Sequence, residues 1–230
     1  VNWSQMLKLI HLTGMEKSMK NQYQNASNIS ARIQLHNKYS TNTQGWFPWI
    51  FDQCHMAEHS TVLEIGCGDG SLWLENKEKI PKQLHVVLSD ISEGMLRDTR
   101  RAIHANVKTS RFDFQVFDCE RIPYPDNSFD LVIANHILFY CKNLTSVFEE
   151  ISRVLKTGGT FVCSTYGAAH MKEINELVSE FDDRIVLSAD RLFERFGKEN
   201  GADLLAPYFQ NIKWLSYEDS LHVTEPETLI

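Results

Sequence analysis

The chain has 230 residues, 43% of them hydrophobic and 23% charged, which suffices for one sizeable core or for a core with a small appendage. Its formal net charge of −7 opposes a phosphate backbone, so nucleic acid is not a favoured partner, and the short basic cluster Arg97, Arg100 and Arg101 reads as a solvated helix face. No apolar run reaches the ~18 residues of a membrane span, so no membrane partner is expected.

Residues 15–57 read as mainly helical. Ile29, Ile33 and His36 recur at near-helical spacing, residues 40–45 form a polar break, and a second helix is expected over 46–56. From residue 60 the pattern changes to alternating strand and helix. The apolar run Thr61–Ile65, ended by glycines, predicts a buried parallel strand, with a helix over 71–78 after it. A second strand is expected over 84–88, ending at Ser89-Asp90, and an amphipathic helix over 92–106. A third strand over 112–117 ends at Asp118, and Phe129–Ala134 is the fourth. A helix over 144–155 runs into a stop at Lys156-Thr157-Gly158-Gly159, followed by a fifth strand over 160–164. Residues 171–206 read as helical, and 212–222 as a sixth strand.

This alternation predicts the α/β class: a three-layer, Rossmann-like, doubly wound sheet, mostly parallel, with its ligands at the carboxyl ends of the strands. Residues 1–58 are expected to form an N-terminal helical lid and 59–230 the ligand-binding domain. A more polar stretch opens at Met15, so residues 1–14 read as an extension. Thr224 and Pro226 suit the cap and first turn of a helix, which predicts a chain that continues past Ile230. Cys54, Cys67, Cys119, Cys141 and Cys163 are odd in number and contain no C-x-x-C, which fits reduced, mostly buried thiols and a cytoplasmic protein. His55 and His59, four apart, would share a helix face as zinc ligands do. No second ligand pair accompanies them, and no metal is expected.

Gly66, Gly68 and Gly70 follow a predicted strand and precede a helix. Glycines there admit positive φ and close approach of a ligand to the backbone. The spacing is G-x-G-x-G, not the G-x-G-x-x-G of dinucleotide sites, and no G-K-[ST] follows. Asp90 ends the second strand, where a carboxylate can accept both ribose hydroxyls. Asp118 ends the third, where it can accept an adenine amine, with the Cys119 N–H opposite a ring nitrogen. Taken singly, either aspartate is as well explained as a turn or cap residue. Taken in order, the three strand ends describe a nucleoside site.

The motifs between Val62 and Val162 resemble the class I S-adenosylmethionine-dependent methyltransferase family, in particular its small-molecule, methyltransferase type 11-like branch. They are Leu63-Glu64-Ile65-Gly66-Cys67-Gly68-Asp69-Gly70, Ser89-Asp90-Ile91-Ser92-Glu93-Gly94-Met95-Leu96, Asp118-Cys119-Glu120-Arg121-Ile122-Pro123-Tyr124, Ser128-Phe129-Asp130-Leu131-Val132 and Ser152-Arg153-Val154-Leu155-Lys156-Thr157-Gly158-Gly159. The resemblance implies a domain that binds S-adenosylmethionine and releases S-adenosylhomocysteine after transferring the methyl group to a small-molecule acceptor. It places the Gly66, Cys67, Gly68 and Gly70 backbone against the methionine part, Asp90 on the ribose, and Ile91 and Met95 near the adenine. Asp118 and Cys119 would meet the adenine edge, and Asn135 would lie near the cofactor amino group and the methyl. Glu64 would shape the loop and the amino-acid end, or equally bond loop N–H groups without touching the cofactor. The last strand of the family sheet is absent from this chain as read.

After the fourth strand the chain reads Ala134-Asn135-His136-Ile137-Leu138, without the Asn/Asp-Pro-Pro-aromatic motif that holds planar amino groups in similar enzymes. That argues against DNA bases or protein glutamine as acceptor. An RNA or protein methyltransferase, or a non-catalytic cofactor-binding regulator, remain the other readings. His136 can act as a general base or simply cap the strand end. Arg32, His36, Tyr39, Phe139, Tyr140 and Tyr166 are the candidates for lid and acceptor pocket. Trp46, Phe47 and Trp49 either join them or pack a helix on the sheet.

Overall fold

The computed structural model describes residues 36, 38–170, 172, 173, 176, 180 and 191–224. The described elements are α1 (Trp46–Gln53), β1 (Thr61–Ile65), α2 (Ser71–Leu74), β2 (His85–Asp90), α3 (Glu93–Asn106), β3 (Arg111–Val116), β4 (Phe129–Ala134), a 3-10 turn (Leu138–Tyr140), α4 (Leu144–Val154), β5 (Leu155–Cys163), α5 (Leu192–Arg195) and α6 (Gly201–Leu205). The five strands form one sheet in the order β3-β2-β1-β4-β5, every pairing parallel. The order reverses between β1 and β4, where doubly wound sheets open a crevice at their carboxyl edge.

The two-residue period of the strands builds two cores, one on each face. Leu63, Ile65, Val87, Val132 and Ala134 point to a core closed by Val147, Phe148, Ile151 and Val154 of α4, with Phe196 and Leu205. Val62, Val86, Leu88, Leu131 and Ile133 point the other way, against Ile50 and Phe51 of α1, Leu72 and Trp73 of α2, and Leu96 and Ile103 of α3. Three layers follow from central strands that present apolar side chains to both faces.

Caps set the helix starts. Ser92 accepts the Met95 N–H ahead of α3 and Asn143 accepts the Ser146 N–H ahead of α4, each leaving one fewer orphan donor. At the amino edge of the sheet, Asp130 takes the Thr61 N–H at 2.8 Å and the Lys156 ammonium at 2.9 Å, which joins β1, β4 and β5. The loop between β3 and β4 hangs on one guanidinium. Arg153 donates to the carbonyls of Ile122 (2.9 Å) and Tyr124 (2.7 Å), to Asp126 (2.9 Å), and through a fork to both oxygens of Glu150. Glu150 in turn accepts the Ile122 N–H at 2.7 Å.

Several expectations are corrected. Residues 212–222 form no sheet strand: their partners are residues 39–42, through the single antiparallel bridge Ser40–Leu221 and the bonds Thr41 N–H to Ser220 O and His222 N–H to Tyr39 O. The alternating pattern there never meets a sheet edge, and Ile212, Trp214 and Leu215 remain 39–42% exposed. β5 starts at Leu155 instead of 160, because the supposed stop is a bulge: Phe129 pairs with Leu155 and Leu131 with Thr160, with Gly158 at φ 78° between them. The helix expected over 46–56 ends at Gln53, and that over 71–78 at Leu74. Within 171–206, α5 and α6 are short and separated by residues 196–200, while Lys172, Glu173, Glu176 and Glu180 are helical. Residues 1–35, with Ile29, Arg32 and Ile33, lie outside the described residues.

Arg153→Lys keeps the charge but loses the planar fork. We expect it to cost about 1–3 kcal/mol of unfolding free energy, read as a lower urea midpoint at unchanged slope. A Lys variant as stable as the parent would show that charge alone holds the loop.

Candidate functional site

Residues after β1 turn sharply over the carboxyl edge. Gly66 sits at φ 66° and a Cβ there would lie 2.4 Å from Cγ2 of Ile137, so both backbone angle and space demand glycine. Gly68, at φ 55°, has nothing within 4 Å of a Cβ position, so the backbone is open above it. The loop is held from behind. Cys67 N–H donates to Ser89 O at 2.9 Å, Gly68 N–H to Asp90 Oδ2 at 3.2 Å, and the Thr99 hydroxyl to Gly68 O at 2.5 Å. Asp69 accepts the Ser71 N–H and hydroxyl at 3.0 and 2.7 Å.

Three carboxylates surround this loop with different roles. Glu64 is 2% exposed and takes the Trp73 indole N–H at 2.6 Å. Its partner is α2, so neither loop N–H groups nor solvent satisfy it. Burial, against the pull of the indole bond, and the neighbouring Asp69 and Asp90 push its pKa up to about 8. Asp90 spans the next turn, its Oδ1 accepting the Ser92 N–H at 2.8 Å while Oδ2 takes Gly68. Burial raises its pKa, with the Ser92, Gly68 and Ile91 N–H groups opposing. Asp118 is exposed and accepts the Glu120 N–H at 3.0 Å, the expected turn geometry. Burial, with Glu64 and Asp90 beside it, also raises the Cys67 thiol well above its usual value.

Ile91 stands 72% exposed beside Asp90, whereas Met95 is 1% exposed and belongs to the core beneath. Cys119 is half-buried, with its sulfur 3.5 Å from that of Cys141. The ends of β1, β2 and β3 therefore do bring Glu64, Gly66, Cys67, Gly68, Gly70, Asp90, Ile91, Asp118 and Cys119 to one edge.

The end of β4 completes that edge. Asn135 Oδ1 accepts the Trp46 indole N–H at 3.2 Å and the Ser164 hydroxyl at 2.7 Å, while Ser164 Oγ takes the His136 N–H at 2.9 Å. His136 has φ 56°, and its ring lies 4.8 Å from that of Trp46 and 6.2 Å from that of Phe139. Trp46 and Trp49 each lie 5.3 Å from Tyr217. Phe139 contacts the rings of Tyr140 and Tyr166 at 4.6 and 5.1 Å, so these three candidates come together, although Phe139 is only 3% exposed. Trp46, Phe47 and Trp49 all pack on the core, and Trp46 in addition reaches the site through its bond to Asn135. Tyr39 is 5% exposed and opens the contact with 217–222; His36, also described, is helical. Arg32 lies outside the described residues.

Sequence reasoning missed Trp73, Thr99 and Ser164. The one available signal was chemical: a buried indole N–H needs an acceptor, and Glu64 is the acidic residue nearest to Trp73 on the preceding strand. His55 and His59 are exposed in a turn, at φ 43° and 66°, so the shared helix face does not form.

Comparison with known proteins agrees with this geometry. A methyltransferase domain model matches residues 63–163. Demethylmenaquinone methyltransferase of Symbiobacterium thermophilum is 32% identical over 118 residues, covering 51% of this chain and 47% of the relative. Malonyl-acyl-carrier-protein O-methyltransferase of Nitrosospira multiformis is 30% identical over 135 residues, covering 53% and 44%. The chain thus spans about half the length of these relatives. The solved structure of Haemonchus contortus phosphoethanolamine N-methyltransferase 2 with S-adenosyl-L-methionine shares the fold at TM-score 0.59 and 19% identity, over 86% of this chain and 44% of that one. Residues 63–163 thus match a methyltransferase domain, and in this stretch the chain is similar to S-adenosylmethionine-dependent methyltransferases.

The Glu64 proton makes stability depend on pH. Below the usual carboxyl value of 4.5 both folded and unfolded chains hold it; from there to about 8 only the folded chain does, so this contribution falls as pH rises and is lost above about 8. Glu64→Gln keeps an oxygen for Trp73 and cannot ionise. Denaturant midpoints of the variant should therefore gain on the parent as pH rises from 5 to 9. A difference independent of pH would contradict the buried, protonated carboxyl.

Proposed function

We propose that the domain binds S-adenosylmethionine along the carboxyl ends of β1 to β4 and passes its methyl group to a small-molecule acceptor, leaving S-adenosylhomocysteine. The observation that carries this is Asp90 behind an open glycine loop. Its two oxygens accept the Gly68 and Ser92 N–H groups, with the Ile91 N–H beside them, and retain acceptor capacity for hydroxyls. A vicinal diol is the partner that uses both.

The surrounding residues suit the remaining groups. Ile91 offers an exposed apolar surface to a base, and Asp118 keeps one oxygen for an exocyclic amine, with Cys119 next in line. Met95 is buried in the core and does not line the surface. Asp69 and Asp90 make the loop a favourable place for a ligand bearing a sulfonium and an ammonium. When bound, the cofactor supplies an already activated methyl group, so the protein's task is alignment and exclusion of water. The raised pKa of Cys67 keeps it a thiol, which spares the activated methyl a competing thiolate nucleophile. His136, stacked on Trp46, is placed to take a proton from an acceptor that still holds one.

A small acceptor is favoured by the relatives, named for demethylmenaquinone and for a malonyl group on a carrier protein. No described helix is long and apolar enough to cross a membrane.

Calorimetry should show binding of S-adenosylmethionine and S-adenosylhomocysteine but not of NAD. Asp90→Ala should weaken both by ~10–100-fold, the loss of hydrogen bonds to a charged group. Absence of binding by the parent chain would sink this reading, and unchanged affinity in the variant would remove Asp90 from the ribose. Labelled methyl transfer into metabolite extracts would then identify the acceptor.

A further inference from the structure

We infer that Asn135 selects the acceptor at this site: its side chain is locked as a hydrogen-bond donor and suits an acceptor presenting an oxygen, as carbonyl, enolate, phenolate or carboxylate, in preference to a cationic amine. The inference rests on the methyl-transfer reading for the identity of the site, and on the hydrogen-bond network for the selection.

An indole N–H can only donate. The Asn135 atom 3.2 Å from Trp46 Nε1 is therefore the amide oxygen, and the amide cannot be turned over without losing that bond. Ser164 removes the remaining freedom. Its oxygen receives the His136 N–H at 2.9 Å, so its own proton turns to Asn135 Oδ1 at 2.7 Å. Both lone pairs of Oδ1 are now spent. What Asn135 has left is Nδ2 with two N–H groups, and among the described residues it makes no hydrogen bond. A backbone amide, an indole and a hydroxyl thus set the polarity of one side-chain amide.

The position gives that polarity its meaning. Asn135 directly follows β4, two residues before Ile137, whose side chain packs where a Gly66 Cβ would be. It therefore stands where the glycine loop and the acceptor side meet, bonded to Trp46, whose ring stacks on that of His136. An ammonium there needs a lone pair that Asn135 no longer has; an acceptor oxygen finds two N–H groups. Donors on that oxygen favour its deprotonated form, the species that attacks an electrophilic methyl.

The test uses two probes of one shape and opposite charge, 2-naphthoate and 2-naphthylmethylammonium, titrated calorimetrically at physiological salt with and without saturating S-adenosylhomocysteine. Naphthoate should bind the parent chain at least ~10-fold more tightly, even though the protein is acidic overall. Asn135→Asp preserves an acceptor oxygen for Trp46 and Ser164 and replaces Nδ2 by a second oxygen; it should reverse the preference. Trp46→Phe keeps a ring but frees the amide to turn, and should narrow the preference. In each variant the probe ratio should move by a larger factor than the S-adenosylhomocysteine affinity. An ammonium probe that binds the parent as well as naphthoate, failure of both probes to bind, or a ratio unmoved by Asn135→Asp would each overturn the inference. So would a drop in S-adenosylhomocysteine affinity without a change in the probe ratio, which would assign Nδ2 to the cofactor carboxylate. If S-adenosylhomocysteine fails to bind the parent, the proposed function falls, and the probe ratio without it still decides the role of Asn135.

Discussion

Everything at the carboxyl edge depends on how closely two strand ends approach. β1 and β4 are neighbours in the sheet, and the chain leaving each turns outward over the same edge. Ile137 from one packs against the backbone of Gly66 from the other, with no room for a Cβ between them. That contact sets the height of the glycine loop, and so the distance between the surface around Asp90 and the polar group at Asn135. It lies at the point where strand order reverses, the one place where an open sheet leaves its edge uncovered by connections. A methyl group at Gly66 would part the two sides of the site before it disturbed either core.

The second constraint is electrostatic. The face carrying Val62, Val86 and Ile133 is apolar except for Glu64, whose carboxyl is buried against Trp73. A charge there is costly, so the proton stays with the carboxyl and the edge keeps its potential from Asp69 and Asp90. A ligand that brought positive charge would change that balance, so cofactor affinity and the protonation of the core are thermodynamically linked. A residue that never reaches the surface can thus take part in binding.

The fold was largely legible because its signals are local. Five apolar runs, three of them ending at glycine or aspartate, became five parallel strands, and Ser92 and Asn143 capped two of the helices after them. What misled was a pattern without a partner. Residues 212–222 alternate like a strand, yet the groups they bond lie in residues 39–42, and no local feature announces a bond across that separation. The site divides in the same way. Gly66 to Gly70 and Asp90 sit at positions dictated by the strand they follow, so spacing alone places them at the edge. Trp46 reaches Asn135 from 89 positions away and Ser164 from 29, and those contacts exist only once the sheet has formed. Met95 illustrates the opposite error: it occupies the expected turn of α3, but helical phase puts its side chain into the core.

The pairing of residues 39–42 with 217–222 bears on the order in which the molecule is made. Ser40 meets Asp219, and Asn42 meets Glu218, across separations of 179 and 176 positions, in bonds that are largely exposed. Loop closure of that length comes late in folding, and contacts so thinly covered are among the first to open. During synthesis Trp46 emerges early, but Tyr217, whose ring it meets, is still to be translated long after β4 has left the ribosome. The glycine loop and Asp90 are encoded in one contiguous stretch and can be assembled on the nascent chain. The contact of Trp46 with Tyr217 needs a residue far along the chain, so the glycine-loop side of the edge can form before the aromatic contact that closes over Trp46.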